Sequence, residues 1–170
     1  FEEESLRGTE TFTASSLEAA KAYTEAQELA YRSENEAAAA LYQKAVDLDP
    51  DFGRAYYGWA LAAFNLGRDA EAEELWQKAV EFMDTMTDRE RYRTLGAYYL
   101  AVSQNYPKAI ESYTSLVENY PADGAGHNNL AIAYFATLDF ERALEEGRRT
   151  LDIYPNNLVY QHNFALYAMY

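Results

Sequence analysis

Apolar residues along this chain recur at intervals of three and four, in runs of a dozen or so residues broken by short polar turns. That period is the helical one. It is seen over Ala22 to Tyr31, Tyr56 to Phe64, Leu95 to Leu100, Leu130 to Phe135 and Phe164 to Ala168. Each of the first four is followed by a second helical run, opening at Ala38, Ala72, Ala109 and Ala143. The start signals agree. Ser15 with Glu18, Ser33 with Glu36 and Thr87 with Glu90 have capping-box spacing. Asp69 and Asp139 stand just before helical runs, where a short acceptor caps free N–H groups. Gly67 and the prolines mark stops. The pattern predicts nine helices and no strands, over 16–31, 35–48, 53–66, 69–82, 88–103, 106–119, 124–137, 140–153 and 157–170.

The second runs are self-similar. Their leading alanines, at 38, 72, 109 and 143, are spaced by 34, 37 and 34 residues, and Pro121 to Pro155 is again 34. Small residues stand at Ala60, Ala97, Ala131 and Ala165 in first helices, and at the four leading alanines in second helices. Large ones alternate with them: Trp59, Leu130 and Phe164 before the first set, Tyr42, Trp76 and Tyr113 after the second. Alanine lets two helix backbones approach, and the aromatic four residues on fills the space between neighbouring pairs.

Over about residues 17–170 this constellation resembles the tetratricopeptide repeat family. The resemblance implies an all-α, right-handed α-α superhelix, a solenoid of helix-turn-helix repeats. The repeats fall at about 17–52, 53–86, 88–123 and 124–157, with a half repeat at 158–170, after a polar lead-in over 1–15. There are departures. Asp84 replaces a closing proline, three extra residues lie around Met83 to Thr87, Leu116 replaces a small residue, and Gly147 and Thr150 stand where a bulky and a small one are usual. A narrower likeness, through Ser16 to Tyr23 and Leu48 to Tyr57, is to the arrays attached to some bacterial serine/threonine kinases and transcriptional regulators.

The resemblance also implies that first helices line the concave face. The stripe facing it holds Tyr23, Gln27 and Tyr31, then Tyr57, Leu61, Phe64 and Asn65. It continues through Thr94 and Tyr98, then Asn128, Ile132 and Phe135, and ends on His162, Leu166 and Tyr170. This surface is aromatic, with amide and imidazole groups and few charges. Tyrosine and phenylalanine supply contact area at low entropic cost. The family's clamp for a C-terminal carboxylate needs Lys and Arg at several of these positions. Only Arg54 and Arg91 lie near one edge, so an extended or helical segment with apolar anchors is the expected ligand.

Charge narrows the partners. The 170 residues carry 28 acidic and 14 basic side chains, a formal −14, which disfavours a nucleic-acid backbone or an anionic membrane. Without cysteine there is no disulfide, thiol nucleophile or Cys-based zinc site. No phosphate loop, H-E-x-x-H or G-x-S-x-G is present. Gly124-Ala-Gly126 reads as an inter-repeat turn. His127 and His162 lack a third ligand and read as hydrogen-bonding or groove residues. Glu71, Glu73 and Glu74, and Glu141, Glu145 and Glu146 with Arg148 and Arg149, read as solvated faces. The expectation is a non-catalytic protein-interaction module with no cofactor and no metal, whose groove takes a peptide or partner segment. The alternative is a regulatory sensor or oligomerisation domain of a larger bacterial signalling protein. Phe1 in place of Met predicts a chain cut from a longer one. The last helix, apolar all round, predicts self-association through the C-terminal half repeat.

Overall fold

A computed structural model of the protein describes residues 14–170. The polar lead-in expected over 1–15 therefore lies outside the described residues, apart from Ala14 and Ser15. Nine α-helices and no strand are found among the described residues: α1 Leu17–Tyr31, α2 Asn35–Leu48, α3 Gly53–Asn65, α4 Asp69–Glu81, α5 Asp88–Ala97, α6 Tyr106–Asn119, α7 Gly124–Ala136, α8 Phe140–Ile153 and α9 Leu158–Tyr167. The fold class is all-α. The described chain divides into two compact units, residues 14–94 and 95–170, with the boundary inside α5.

In the unit 14–94, α1 packs on α2, α2 on α3 and α3 on α4. The contacts are made by alanines that are fully buried, Ala19, Ala26, Ala38, Ala45, Ala55 and Ala60 among them. With only a methyl at those positions, helix axes approach closely and rings fill the space between pairs. Tyr23 lies 5.8 Å from Tyr42 and 5.1 Å from Phe52, centroid to centroid. The three extra residues before the third repeat form a 3₁₀ turn, Met83–Thr85. That turn delivers Met86 into the core, where its sulfur accepts from Thr94 Oγ1 at 3.5 Å.

In the unit 95–170, α6 packs on α7, α7 on α8 and α8 on α9. Two departures from the repeat pattern are compensated here by the facing helix. Leu116 is wholly buried, and a Cβ on the facing Gly126 would lie 2.8 Å from its Cδ2. Gly147 leaves room for Tyr167 and Phe164, whose rings would stand 3.1 and 3.2 Å from a Cβ there. Volume removed on one helix is supplied by the next, which keeps the packing dense.

Some local expectations need correction. The helix predicted over 88–103 is α only to Ala97; Tyr98–Val102 is a π turn, closed by Ser103 N–H donating to Tyr98 O. Ser16, not Ser15, caps α1, accepting from Ala19 N–H at 3.1 Å. Ser33 takes a left-handed backbone (φ 62°) in the turn after α1, so it cannot cap α2 from there. Asp69 is the first residue of α4, behind Arg68 as N-cap, with no side-chain cap bond. The Thr87–Glu90 box does form. Glu90 Oε2 accepts from Thr87 N–H at 2.8 Å, and Glu90 N–H donates to Thr87 Oγ1 at 3.4 Å. Asp139 caps α8 through Arg142 N–H. Gly67 ends α3 at φ 72°, a conformation natural to glycine.

Candidate functional site

The residues expected to line a groove fall in both units, and each unit holds its own set. In the unit 14–94 the parts are α1 and α3, which touch side by side. Tyr23 is only 1% exposed and is a core ring, not a surface one. Its hydroxyl accepts from Gln27 Nε2 at 2.9 Å, which ties the half-buried amide down. Tyr57 is also buried, lying under the Arg54 guanidinium at 4.5 Å. Arg54 is thus an internal stacking partner and not an edge charge, and Thr94 is wholly buried. What stays open is Tyr31 at 71% exposure, and Leu61 and Phe64 at 41% and 47% on one face of α3. Phe64 stands against Trp76, 5.6 Å between centroids, so its ring is held in place while one face remains available. Asn65 Nδ2 donates to Asn35 Oδ1 at 3.4 Å, and Arg68 grips both oxygens of Glu36 at 2.7 Å. That grip raises the Arg68 pKa through the hydrogen bond and charge of Glu36.

In the unit 95–170, Tyr98 is half-buried in the π turn, edge-on to Tyr99 at 5.7 Å. Asn128 is buried and spoken for. Its Oδ1 accepts from Asn163 at 3.0 Å, its Nδ2 donates to Asn129 at 3.1 Å, and Asn129 donates to the Tyr113 hydroxyl at 3.2 Å. Ile132 and Phe135 are half-buried, and His162 is exposed. Phe135 sits among Phe140, Tyr167 and Tyr170 at 5.3–5.6 Å. Tyr167 is buried with an unpartnered hydroxyl, and burial pushes its pKa up to about 12. Leu158, Val159, Met169 and Tyr170 are exposed on and just beyond α9, as its all-round apolar pattern implied.

Reading the stripe from spacing alone did not distinguish buried residues from open ones, and Tyr98 and Tyr170 fall just beyond the α-helices they were expected on. Glu146 is the clearest correction among the charged groups. It was expected on a solvated face; it is 6% exposed and bonded to His127 at 2.6 Å. The available signal was its position three residues after Ala143 and four before Thr150, on the inward stripe of α8. No group of three or more His, Cys, Asp or Glu able to hold a metal ion occurs among the described residues. No helix among them is long and apolar enough to cross a membrane.

The tetratricopeptide repeat family model matches residues 23–84 and 94–157. The chain belongs to the tetratricopeptide repeat family. That is a protein-interaction fold, and protein partners follow from it. Solved structures agree on the fold. MamA 41-end from Desulfovibrio magneticus RS-1 is 21% identical, with TM-score 0.55 over 92% of this chain and 86% of that one. MamA MSR-1 is 17% identical, with TM-score 0.55 over 89% and 86%. The APC/C hetero-tetramer Cut9-Hcn1 is 16% identical, with TM-score 0.61 over 86% of this chain and 29% of that one. No curated protein matches the chain. None of these matches bears on the narrower likeness to kinase-attached arrays.

Proposed function

We propose that this chain is a non-catalytic recognition module whose first helices hold a partner segment through apolar anchors. The observation that supports this reading is the exposure of Leu61 and Phe64 together on α3, with Tyr31 exposed on α1. A preformed helical surface binds without a large ordering cost. Large apolar side chains left open on one face of a soluble domain are the usual mark of a partner site. Gln27 and Asn65 flank that face with amides but are engaged by Tyr23 and Asn35. In the second unit the open surface is narrower, comprising Ile132, Phe135 and His162 beside the buried Asn128 and the half-buried Tyr98. Second copies of the chain are candidates for the exposed face of α9.

The test is affinity capture from lysate, read by mass spectrometry, comparing wild type with a Leu61→Ala, Phe64→Ala variant. Both side chains are substantially exposed, so the variant should keep its helical circular dichroism. Partners lost only with the variant support the groove. Equal capture by both overturns it.

A further inference from the structure

One side of α9 is packed and the other is open. Tyr160, Asn163, Phe164 and Tyr167 are half-buried or buried. Phe164 and Tyr167 lie over Gly147 of α8, and Asn163 donates to Asn128 of α7. On the other side Leu158, His162 and Ala165 recur at helical spacing, with Met169 just past the helix end, and all four are exposed.

Ala165 carries the most information. It stands 34 residues after Ala131, and Ala60 holds the matching place in the second repeat. Ala60 and Ala131 are 0% exposed in helices that another helix covers, α4 over α3 and α8 over α7. The alanines that lead the covering helices, Ala72 and Ala143, are 0% exposed as well. A methyl at such a place lets two helices come close. On α9 the same methyl lies open, between Leu158 at 78% and Met169 at 79% exposure. The open side therefore suits a helix that brings a small residue to the crossing.

Charge says whose helix that is. The chain carries −14, yet Leu158 to Tyr170 holds no Asp, Glu, Lys or Arg. A second copy bears the same −14, so its approach is opposed along the acidic faces and unopposed by charge on this one. It also brings the small residue required, its own Ala165.

We propose that two copies of this chain pair through α9, antiparallel across a two-fold axis, with Ala165 at the crossing and Leu158 and Met169 flanking it. A contact of this kind uses the same face twice and closes at two copies. With ten residues α9 is about 15 Å long, so the interface is small and the pairing is a reversible equilibrium. The pairing rests on the proposed reading of α9 as a face for second copies and not on the open face of α3.

Two measurements on the whole chain test this. Sedimentation velocity with light scattering, from low micromolar to submillimolar protein, should show the wild-type mass rising from one copy to two and no further. Ala165→Glu should stay at one copy, with wild-type circular dichroism, because it sets two carboxylates together at the crossing and the position is exposed. The Leu61→Ala, Phe64→Ala variant should pair as wild type does, which separates this contact from the α3 face. The second measurement uses the absence of cysteine from the chain. Under mild oxidation Ala165→Cys should form a disulfide-linked pair much faster than Glu73→Cys, an exposed position on α4, because only at the crossing do the two Cα atoms come within disulfide range. If Ala165→Glu does not fold, the cross-linking comparison decides. A wild type that stays at one copy throughout overturns the proposal. So do growth beyond two copies, unchanged pairing of a folded Ala165→Glu, and equal cross-linking of the two cysteine variants.

Discussion

Gly58 sits in the middle of α3, a poor place for glycine by propensity. Replacing it with alanine relieves about 1 kcal/mol of backbone entropy cost. The tertiary structure opposes the change. A Cβ at this position would lie 2.5 Å from Cζ of Tyr42. Carbon atoms rest at about 3.5–4.0 Å, so the ring must retreat by roughly 1 Å. It has little room to do so. Tyr42 is buried and stands 5.8 Å from Tyr23, which in turn stands 5.1 Å from Phe52. Overpacking of this kind costs about 1–3 kcal/mol. The net expectation for Gly58→Ala is a loss of up to about 2 kcal/mol, after the propensity gain is subtracted. In a chain of this size that lowers the melting temperature by up to about 8 °C. The assay is chemical and thermal unfolding by circular dichroism, with Tyr42→Leu and the double variant alongside. The double variant should be more stable than the sum of the single losses predicts, since the smaller side chain yields to the methyl. A Gly58→Ala protein about 1 kcal/mol more stable than wild type would show that propensity wins and that the Tyr42 ring is not locked.

Four further outcomes are expected. Tyr167→Phe removes a buried hydroxyl with no partner, and stability should be unchanged or rise by about 1 kcal/mol in denaturant titration. Because burial raises the Tyr167 pKa to about 12, its neutral form stabilises the fold below the ordinary tyrosine range. That contribution should fade as pH climbs from the ordinary value of 10.0 toward about 12, with Tyr167 among the late-titrating tyrosines in ultraviolet absorbance. Asp139 has its pKa lowered, first by the Arg142 side-chain hydrogen bond and then by the Arg142 backbone N–H. Its stabilisation is present above the ordinary carboxylate range and lost as pH falls through the depressed value, so Asp139→Asn should flatten that part of the acid limb and keep the cap at neutral pH. Gly67→Ala, at φ 72° with open space around it, should cost about 1 kcal/mol through backbone strain alone, and Gly67→Asn less.

The first and second helices of each pair were legible from the sequence because their information is local. A stripe of apolar residues at helical spacing decides that a segment is a helix and which side faces inward. A 34-residue period then decides that the segments pair. Helix bounds such as 35–48 and 106–119 follow from Gly, Pro and short polar residues at the ends. The Thr87–Glu90 box and the Asp139 cap were equally local.

The state of each groove residue was not local. Tyr23, Tyr57 and Asn128 occupy the same stripe as Leu61, Phe64 and Ile132, yet the first three are buried and the others are open or half-open. For Tyr23 and Asn128 the difference is made by what other segments bring up against them, Phe52 and Tyr42 for the first and Asn163 for the second, while Tyr57 lies under Arg54 of its own helix. Likewise, the charge pattern of α8 placed Glu146 among solvated carboxylates, and only the packing of α7 put His127 within 2.6 Å of it. Sequence alone determined that this chain is an array of helix pairs. Tertiary packing decided which of its aromatic, amide and charged side chains are left for a partner, because burial depends on contacts made by residues far along the chain.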